Sequence, residues 1–442
     1  MTDRFHNPAE WEQFVAWFRH ASPYIHAHRG KTFVVSFEGM AMDDNTHFRR
    51  LMHDIALLHS IGIRLVLVHG ARLQIERNLQ ERGVPMQYAE GMRITDLVAL
   101  QQVKAACGQM VADITAALSM GLSDSPHNHS PLRLIGGNFI SARPLGVREG
   151  VDFQYTGEVR RVDYQAISQQ LDNGFVVLIS PLGYSPTGEV FNLSVEDVAT
   201  SVAISLKAQK WVSLSETPIT YHHNGYLTAQ EAAHLLQENQ DHTCFRQLRN
   251  IVRACQNGVE RVHLIERNTD GGILLELFTR EGIGTMVSKD PFENLRHATI
   301  DDVRGIIDLI SPLEEQGILV KRSREKLETE IGQFVVQERD GAIVGCAALY
   351  PYPDEKMGEL ACLAIHQHYK GGQRGDALLA FVEHSARHKG LDKLFVLTTR
   401  TAHWFLERGF APADLDILPM TKRQLYNYHR QSKVFIKPLA ID

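Results

Sequence analysis

The chain carries little cysteine, no long apolar run and no marked excess of either charge, and each scarcity removes a class of function. Five scattered cysteines (Cys107, Cys244, Cys255, Cys346, Cys362) form no C-x-x-C pair, so neither a disulfide framework nor a zinc site is indicated. The 22 histidines fall into no H-E-x-x-H or similar spacing, and His222-His223 lies in a polar stretch that suits solvated imidazoles. No metal is expected. A formal net charge of −6 gives no basis for a nucleic-acid or membrane partner. No segment is apolar over a membrane-spanning length, and Met1-Thr-Asp-Arg-Phe-His6 opens no signal peptide, so a cytoplasmic protein is expected.

What is present is an ordinary globular composition, 44% hydrophobic and 22% charged, over 442 residues, too long for one core. Residues 9–27 have helical periodicity, and Trp11, Phe14, Val15, Trp17 and Phe18 give an aromatic stripe fit for core or interface. From Lys31, short apolar runs (Thr32–Ser36, Arg64–His69, Leu132–Ile135, Phe175–Ser180) alternate with helical stretches (Phe48–Leu58, Val98–Met120, Ser194–Leu206). That alternation predicts an α/β fold with a parallel sheet covered on both faces, closed by an apolar strand, Ile273–Phe278. Residues 289–294 form the expected linker between a first domain, 1–288, and a second, 295–442. The second opens with a helix from Ile300 and a hairpin turning at Arg339-Asp-Gly341.

Its central feature is Gly358-Glu-Leu-Ala-Cys-Leu-Ala-Ile365, an apolar strand with one carboxylate, followed by a glycine-rich turn at Lys370-Gly-Gly-Gln373-Arg-Gly375 and an amphipathic helix. Such a turn offers backbone N–H groups at a helix N-terminus, where the dipole favours a phosphate. Glu359, set among apolar residues, is the candidate general base. Strand alternation places Glu359, Ala361 and Leu363 on one face and Cys362 on the other, which argues against a thiol nucleophile working beside the carboxylate. Basic residues flank the region (Lys321, Arg322 and Arg324; Lys422, Arg423 and Arg430) and suit an acceptor with two carboxylates; Arg322, Lys422 and Arg430 are the candidate contacts.

The order helix, hairpin, Glu-bearing strand, glycine turn, helix, strand (Leu394–Thr399) and Trp404-Phe-Leu-Glu-Arg-Gly-Phe410 resembles the GNAT acyltransferase family, with Gln373 standing at a position that is glycine there. The resemblance implies an α+β domain that binds acetyl-CoA through the backbone near Leu363 and Ile365 and through Lys370, Gly371, Gly372, Gln373, Arg374, Gly375, Asp376 and Ala377. It further implies direct acetyl transfer to an amine deprotonated by Glu359, the Leu363 N–H polarising the carbonyl. The tyrosine that often protonates the departing thiolate in that family has no match in residues 396–410, leaving Thr398 as a candidate hydroxyl.

Residues 25–288 resemble the amino acid kinase family, on Gly30-Lys-Thr-Phe-Val-Val-Ser-Phe-Glu-Gly39, Leu67-Val-His-Gly-Ala-Arg-Leu-Gln-Ile75, Phe191-Asn-Leu-Ser194 and Glu276-Leu-Phe-Thr-Arg-Glu-Gly-Ile-Gly-Thr285. Where those kinases carry Lys-x-Gly-Gly, this chain has Ser36-Phe-Glu38-Gly39, so a carboxylate stands where phosphate charge would need a lysine. A fold that kept its shape and lost phosphoryl transfer is expected. The arginine-sensitive relatives imply an effector site at Tyr24, Lys210, Glu276, Glu281, Gly282 and Gly284, although Gly271-Gly272 replaces a family histidine.

The two domains together resemble a family of amino-acid N-acetyltransferases. That resemblance implies acetyl transfer from acetyl-CoA to the α-amino group of L-glutamate in arginine biosynthesis, feedback by L-arginine, and a hexameric homo-oligomer. Two competing readings are an amino-acid sensor with a non-catalytic acetyl-CoA domain and an active kinase.

Overall fold

Helices and strands alternate along the first part of the chain as its apolar runs predict. The elements are α1 (Pro8–His28), β1 (Thr32–Phe37), α2 (Asn45–Ser60), β2 (Arg64–His69), α3 (Arg72–Glu81), β3 (Tyr88–Ala89), β4 (Met92–Arg93), α4 (Leu97–Ser119) and β5 (Leu134–Ile135). There follow β6 (Ile140–Pro144), β7 (Val147–Arg148), β8 (Val151–Asp152), β9 (Gly157–Val162), α5 (Tyr164–Asp172), β10 (Val176–Ile179), β11 (Leu182–Tyr184), β12 (Val190–Asn192) and α6 (Val195–Leu206). The region ends with β13 (Lys210–Ser215), β14 (Tyr226–Thr228), α7 (Ala229–Glu238), α8 (His242–Gln256), β15 (Arg261–Glu266), α9 (Gly272–Phe278) and β16 (Thr285–Ser288). The computed structural model describes residues 8–39, 45–120, 132–215, 225–238, 242–279, 281–289, 293–339, 341–370, 373–424 and 432–439. His222-His223, Gly371, Gly372 and Arg430 lie outside them. The chain divides into two compact units, Met1–Pro291 and Phe292–Asp442.

In the first unit, eight strands run in the order β14-β16-β15-β13-β1-β2-β10-β5, and every neighbouring pair is parallel except β15–β16. All six residues of β1 are buried because both faces of the sheet are covered. Val34, Val66 and Val177 join one core with Val198 of α6 and Ile251 of α8. Phe33, Val35, Leu65 and Leu178 join the other with Ile55 of α2 and Val103 of α4. Each such side chain contributes roughly 1.5–3 kcal/mol by leaving water. The aromatic stripe of α1 does not enter these cores: Trp11, Phe14, Trp17 and Phe18 remain exposed.

Two expectations change here. Ile273–Phe278 is helix α9, not a strand; Gly271, at φ 66°, opens it. A short apolar run does not by itself distinguish the two forms. Glu293 and Asn294, assigned to a linker, instead begin a strand of the second unit and pair with Arg339 and Glu338.

The second unit comprises β17 (Glu293–His297), α10 (Val303–Glu315), α11 (Arg324–Glu330), β18 (Phe334–Arg339), β19 (Ala342–Tyr352), β20 (Met357–Ile365), α12 (Arg374–His388), β21 (Lys393–Thr398), α13 (Ala402–Leu406), β22 (Ala411–Ala413), α14 (Met420–Gln424) and β23 (Lys433–Pro438). Its strands order as β17-β18-β19-β20-β21-β23-β22, antiparallel throughout except β20–β21. Helices α10 and α12 cover opposite faces, α10 packing on Val336 and Cys346, α12 on Leu349 and Leu360.

Candidate active site

Strand β20 is not regular. Across the β19–β20 pair, Cys346 faces Ala364 and Ala348 faces Ala361, so Cys362 and Leu363 together oppose Ala347. The extra residue is a β-bulge, and Cys362 takes φ 52° to make it. Alternation therefore skips a beat. Leu360 and Leu363 both enter the core under α12, while Cys362 and Ala364 enter the one under α10. This corrects the expected faces: Leu363 lies opposite Glu359, and Cys362 turns to the carboxylate's side. The Cys362 thiol is buried beside Cys346, whose Sγ–H donates to the Cys362 carbonyl at 3.5 Å.

Glu359 sits two residues before the bulge's start at Ala361, and it is 6% exposed. Its carboxylate meets the Lys422 ammonium at 2.7 Å, a partner brought in by α14. Lys422, expected to contact the acceptor, is thus placed against the candidate base itself. Tyr352 also approaches Glu359; burial, reinforced by the Glu359 charge, pushes its hydroxyl up to about 12, so it remains a neutral donor. Sequence reading missed Tyr352. The signal was available in the tight turn Pro353–Lys356, which folds β19 back so that Tyr350 opposes Glu359 and Tyr352 opposes Met357. Arg322 joins this face: burial disfavours its charge, but neighbouring Cys362 and Tyr350 more than offset that and raise its proton affinity.

The parallel ladder between β20 and β21 covers only Met357–Glu359 against Lys393–Phe395. Beyond Glu359 the ladder stops, although β20 continues to Ile365 and β21 to Thr398. Two strands that part in this way expose backbone N–H and C=O groups to a third extended chain. Thr398, at the far end of β21, accepts from the Thr401 N–H at 3.2 Å and shares a hydrogen bond with the Thr401 hydroxyl at 2.9 Å. Those contacts give it a turn-forming role.

At the glycine turn, Gln373 adopts φ 59° as the residue before α12. A left-handed conformation costs a non-glycine residue roughly 1–2 kcal/mol, so the departure from glycine leaves the backbone shape in place under strain. Arg374 and Asp376 are engaged within the unit. The Arg374 guanidinium donates to Glu293 at 2.5 Å and lies over the Tyr369 ring, and Asp376 pairs with Arg408, which stacks on Trp404. Gly375 packs against that same Trp404 ring, and a Cβ there would lie 3.0 Å from it. Their backbone N–H groups occupy the first turn of α12, where a helix has no internal acceptors for them. Lys370 is exposed, Ala377 donates its N–H to the Gln373 carbonyl at 2.9 Å, and Ile365 packs under α12 with Leu363.

In the first unit, the expected effector residues gather around a buried relay. Lys210 Nζ donates to His263 Nε2 at 3.2 Å, and His263 Nδ1–H donates to Glu276 at 2.6 Å. Burial and the Lys210 charge lower His263 to about 4, so it is neutral and passes hydrogen bonds between cation and anion. Burial opposes the charge of Glu276, but His263 and the N–H groups of Ile283 and Gly284 outweigh it and hold the carboxyl at about 2. Gly282 has φ 64°, and a Cβ there would lie 2.5 Å from the Glu276 carboxylate. Tyr24 is half-buried in the neighbouring core, and Glu281 is exposed on the same loop. His263 was missed because it comes from β15, not from the Gly271-Gly272 position where a histidine was sought.

Among the described residues, no group of three or more His, Cys, Asp or Glu side chains could hold a metal, and no helix is long and apolar enough to cross a membrane.

Fold and site define a GNAT-type acyltransferase unit joined to an amino-acid-kinase-type unit. Residues 31–237 match the amino acid kinase family and residues 303–410 the acetyltransferase (GNAT) family. The amino-acid acetyltransferase of Azotobacter vinelandii is 52% identical over 431 residues, covering 96% of this chain and 99% of the relative; that of Pseudomonas putida is 53% identical with the same coverage. The N-acetylglutamate synthase of Neisseria gonorrhoeae, solved with coenzyme A and L-arginine, aligns with a TM-score of 0.88 at 39% identity over 97% of this chain and all of that one. The same synthase with coenzyme A and N-acetyl-glutamate gives a TM-score of 0.61 at 40% identity over 97% of this chain. The chain belongs to the amino-acid acetyltransferase family, and it is an acyltransferase.

Proposed function

We propose that the second unit transfers acetyl from acetyl-CoA to the α-amino group of L-glutamate, with Glu359 as the general base. The observation that carries this is a buried carboxylate where the β20–β21 ladder ends. The parted strands suit the extended, amide-bearing arm of the donor, whose pyrophosphate goes to the first turn of α12. That Lys422 brings an ammonium to Glu359 supports reading the carboxylate as the place where the acceptor's ammonium lodges. On acceptor binding, Lys422 turns to an acceptor carboxylate, and Arg322 holds the other. Arg430 is retained as a further candidate for that carboxylate.

Glu359 then takes one proton from the ammonium, and the freed lone pair attacks the thioester carbonyl carbon. The oxyanion that forms is met by the Leu363 N–H at the bulge. As the C–S bond breaks, the electron pair leaves on the CoA sulfur, and the second proton of the attacking nitrogen passes to that thiolate through solvent or through the Thr398 hydroxyl as a relay, leaving a neutral amide. Burial of the Cys362 thiol beside Cys346 supports direct transfer over a covalent intermediate.

In the first unit we assign L-arginine, as regulator, to the loop 281–284 and its surroundings. Both oxygens of Glu276 are occupied, one by His263 and one by two N–H groups, so Glu276 braces the loop and Glu281 receives the guanidinium. Tyr24 and Lys210 line the same region, and Gly282 and Gly284 allow close approach. Loss of the phosphate-neutralising lysine and the presence of Glu38 argue against kinase activity. The exposed aromatic face of α1 is the surface proposed for self-association into a homo-oligomer.

The test is thiol release from acetyl-CoA with L-glutamate, aspartate, ornithine or glutamine as acceptor, with and without arginine. Preference for glutamate supports the reading, and preference for any other acceptor defeats it.

A further inference from the structure

One carboxylate of the second unit takes no part in the acceptor chemistry, yet it holds the glycine turn from outside. Glu293 is the second residue of that unit and opens β17, opposite Arg339 across the β17–β18 pair. Its two oxygens collect donors from two further elements, β18 and α12. Arg374, the first residue of α12, gives Nε at 3.0 and 2.9 Å and Nη2 at 2.5 Å. On β18, Gln337 gives Nε2 at 2.7 Å and Arg339 gives Nη1 at 3.4 Å. The third Arg374 nitrogen, Nη1, donates to the Tyr369 carbonyl at 3.1 Å.

We propose that Glu293 is a positioning residue for the donor, fixing the turn between Tyr369 and Arg374 in the shape that accepts a pyrophosphate. The inference rests on reading the first turn of α12 as the pyrophosphate site, and it adds a residue that touches neither donor nor acceptor.

The turn is pinned at both ends from this one carboxylate. At its far end Arg374 is held directly, and the same guanidinium reaches back to the Tyr369 carbonyl. At its near end the buried Tyr369 ring has Arg339 5.2 Å and Arg374 5.4 Å from its centroid. Both guanidiniums are tightly enclosed, at 10% and 11% exposure. A planar fork committed to a carboxylate and a ring face has little freedom to turn. Arg374 therefore serves the donor through where it holds the backbone. Beside it, Gln373 keeps φ 59° with no side-chain cap bond. Glycine would adopt that conformation without help, whereas another residue stays there only where its surroundings over-determine the backbone. The clamp on Arg374 is the adjacent fixed point, and it lets a glutamine stand where the turn's shape favours glycine.

The experiment measures thiol release by the full chain with three donors: acetyl-CoA, acetyl-3′-dephospho-CoA, which keeps the pyrophosphate, and S-acetylpantetheine, which lacks it. In Glu293→Gln, kcat/KM should fall about tenfold with the first two donors and stay within about twofold of wild type with the third. The loss should lie in donor KM, with kcat and acceptor KM in place, and Glu293→Asp, which restores the charge, should recover part of it. Arg339→Lys keeps its charge but not its flat contact with Tyr369, and should show the same donor pattern at about threefold. This second variant decides the matter where Glu293→Gln fails to fold. An equal loss with all three donors overturns the proposal, as does a loss confined to kcat or an unchanged donor KM in a folded variant. A wild-type chain that uses acetyl-CoA no better than S-acetylpantetheine would instead remove the pyrophosphate site itself, and this proposal with it.

Discussion

Each unit holds a buried carboxylate, Glu276 in the first and Glu359 in the second, and the two are equally hidden, at 7% and 6% exposure. Their partners differ. Glu276 is bound by a neutral histidine and two backbone N–H groups, none of which can leave without unfolding its surroundings. Glu359 is met by the end of a flexible lysine at 2.7 Å, with the Tyr352 hydroxyl beside it. Burial alone therefore does not distinguish a brace from a site. An exchangeable partner does, because a side chain with four rotatable carbons can yield its place to a substrate of like charge.

The sharpest break of the comparison is charge removal at each carboxylate. Glu359→Gln should lower the turnover of acetyl transfer by about two to four orders of magnitude, with acetyl-CoA affinity and thermal unfolding nearly unchanged. Steady-state thiol release beside calorimetry checks both halves, and retained turnover would remove the base. Glu276→Gln should do the reverse. It should cost about 2–3 kcal/mol in denaturant unfolding of the first unit and abolish the response to arginine, while acetyl transfer without arginine persists.

Acid should separate the units as well. The buried histidines among the described residues, His28, His69 and His263, all lie in the first unit, and burial first of all lowers each to about 4. Below an unfolded value of about 6.5 the unfolded chain takes up protons that the folded unit refuses, so stability is lost as pH falls from about 6.5 towards 4. Circular dichroism melts across that window, run on the full chain, should show an acid-sensitive transition. A pH-independent melt would show that the three rings do not stay neutral.

A smaller effect is expected at the exchangeable partner. Lys422→Met should raise the KM for the acceptor about tenfold and leave that for acetyl-CoA in place, as fits one lost charge contact. Smallest of all, Gln373→Gly should relieve the left-handed strain and shift stability upward by less than about 1 kcal/mol, partly offset by glycine's greater freedom when unfolded. Chemical denaturation decides the sign.

Much of this was legible in the sequence. Apolar runs placed the parallel sheet, and the carboxylate, turn and helix pointed to the proposed donor site, because those signals are local. What escaped depended on contacts between distant residues. Lys422 meets Glu359 from 63 positions further along the chain, and His263 reaches Glu276 from another strand. The helix at Ile273–Phe278 escaped for a different reason: six apolar-rich residues satisfy a strand or a helical turn equally. Gln373 read as a defect in a motif, whereas it takes the left-handed conformation that glycine favours.

The bulge at Cys362 also constrains how such a chain can change over time. Point substitutions along β20 alter one side chain each, whereas deleting one of the two residues that share a face at the bulge would restore strict alternation and leave the downstream faces where they are. Leu363 and Ile365 would stay directed to α12 and Ala364 to α10, and what would be lost is the left-handed kink at Cys362 and the local bend it gives the strand. Loss of one residue at the bulge should therefore leave the unit folded and cost the site its bent strand, which separates what folding requires of β20 from what the site requires of it.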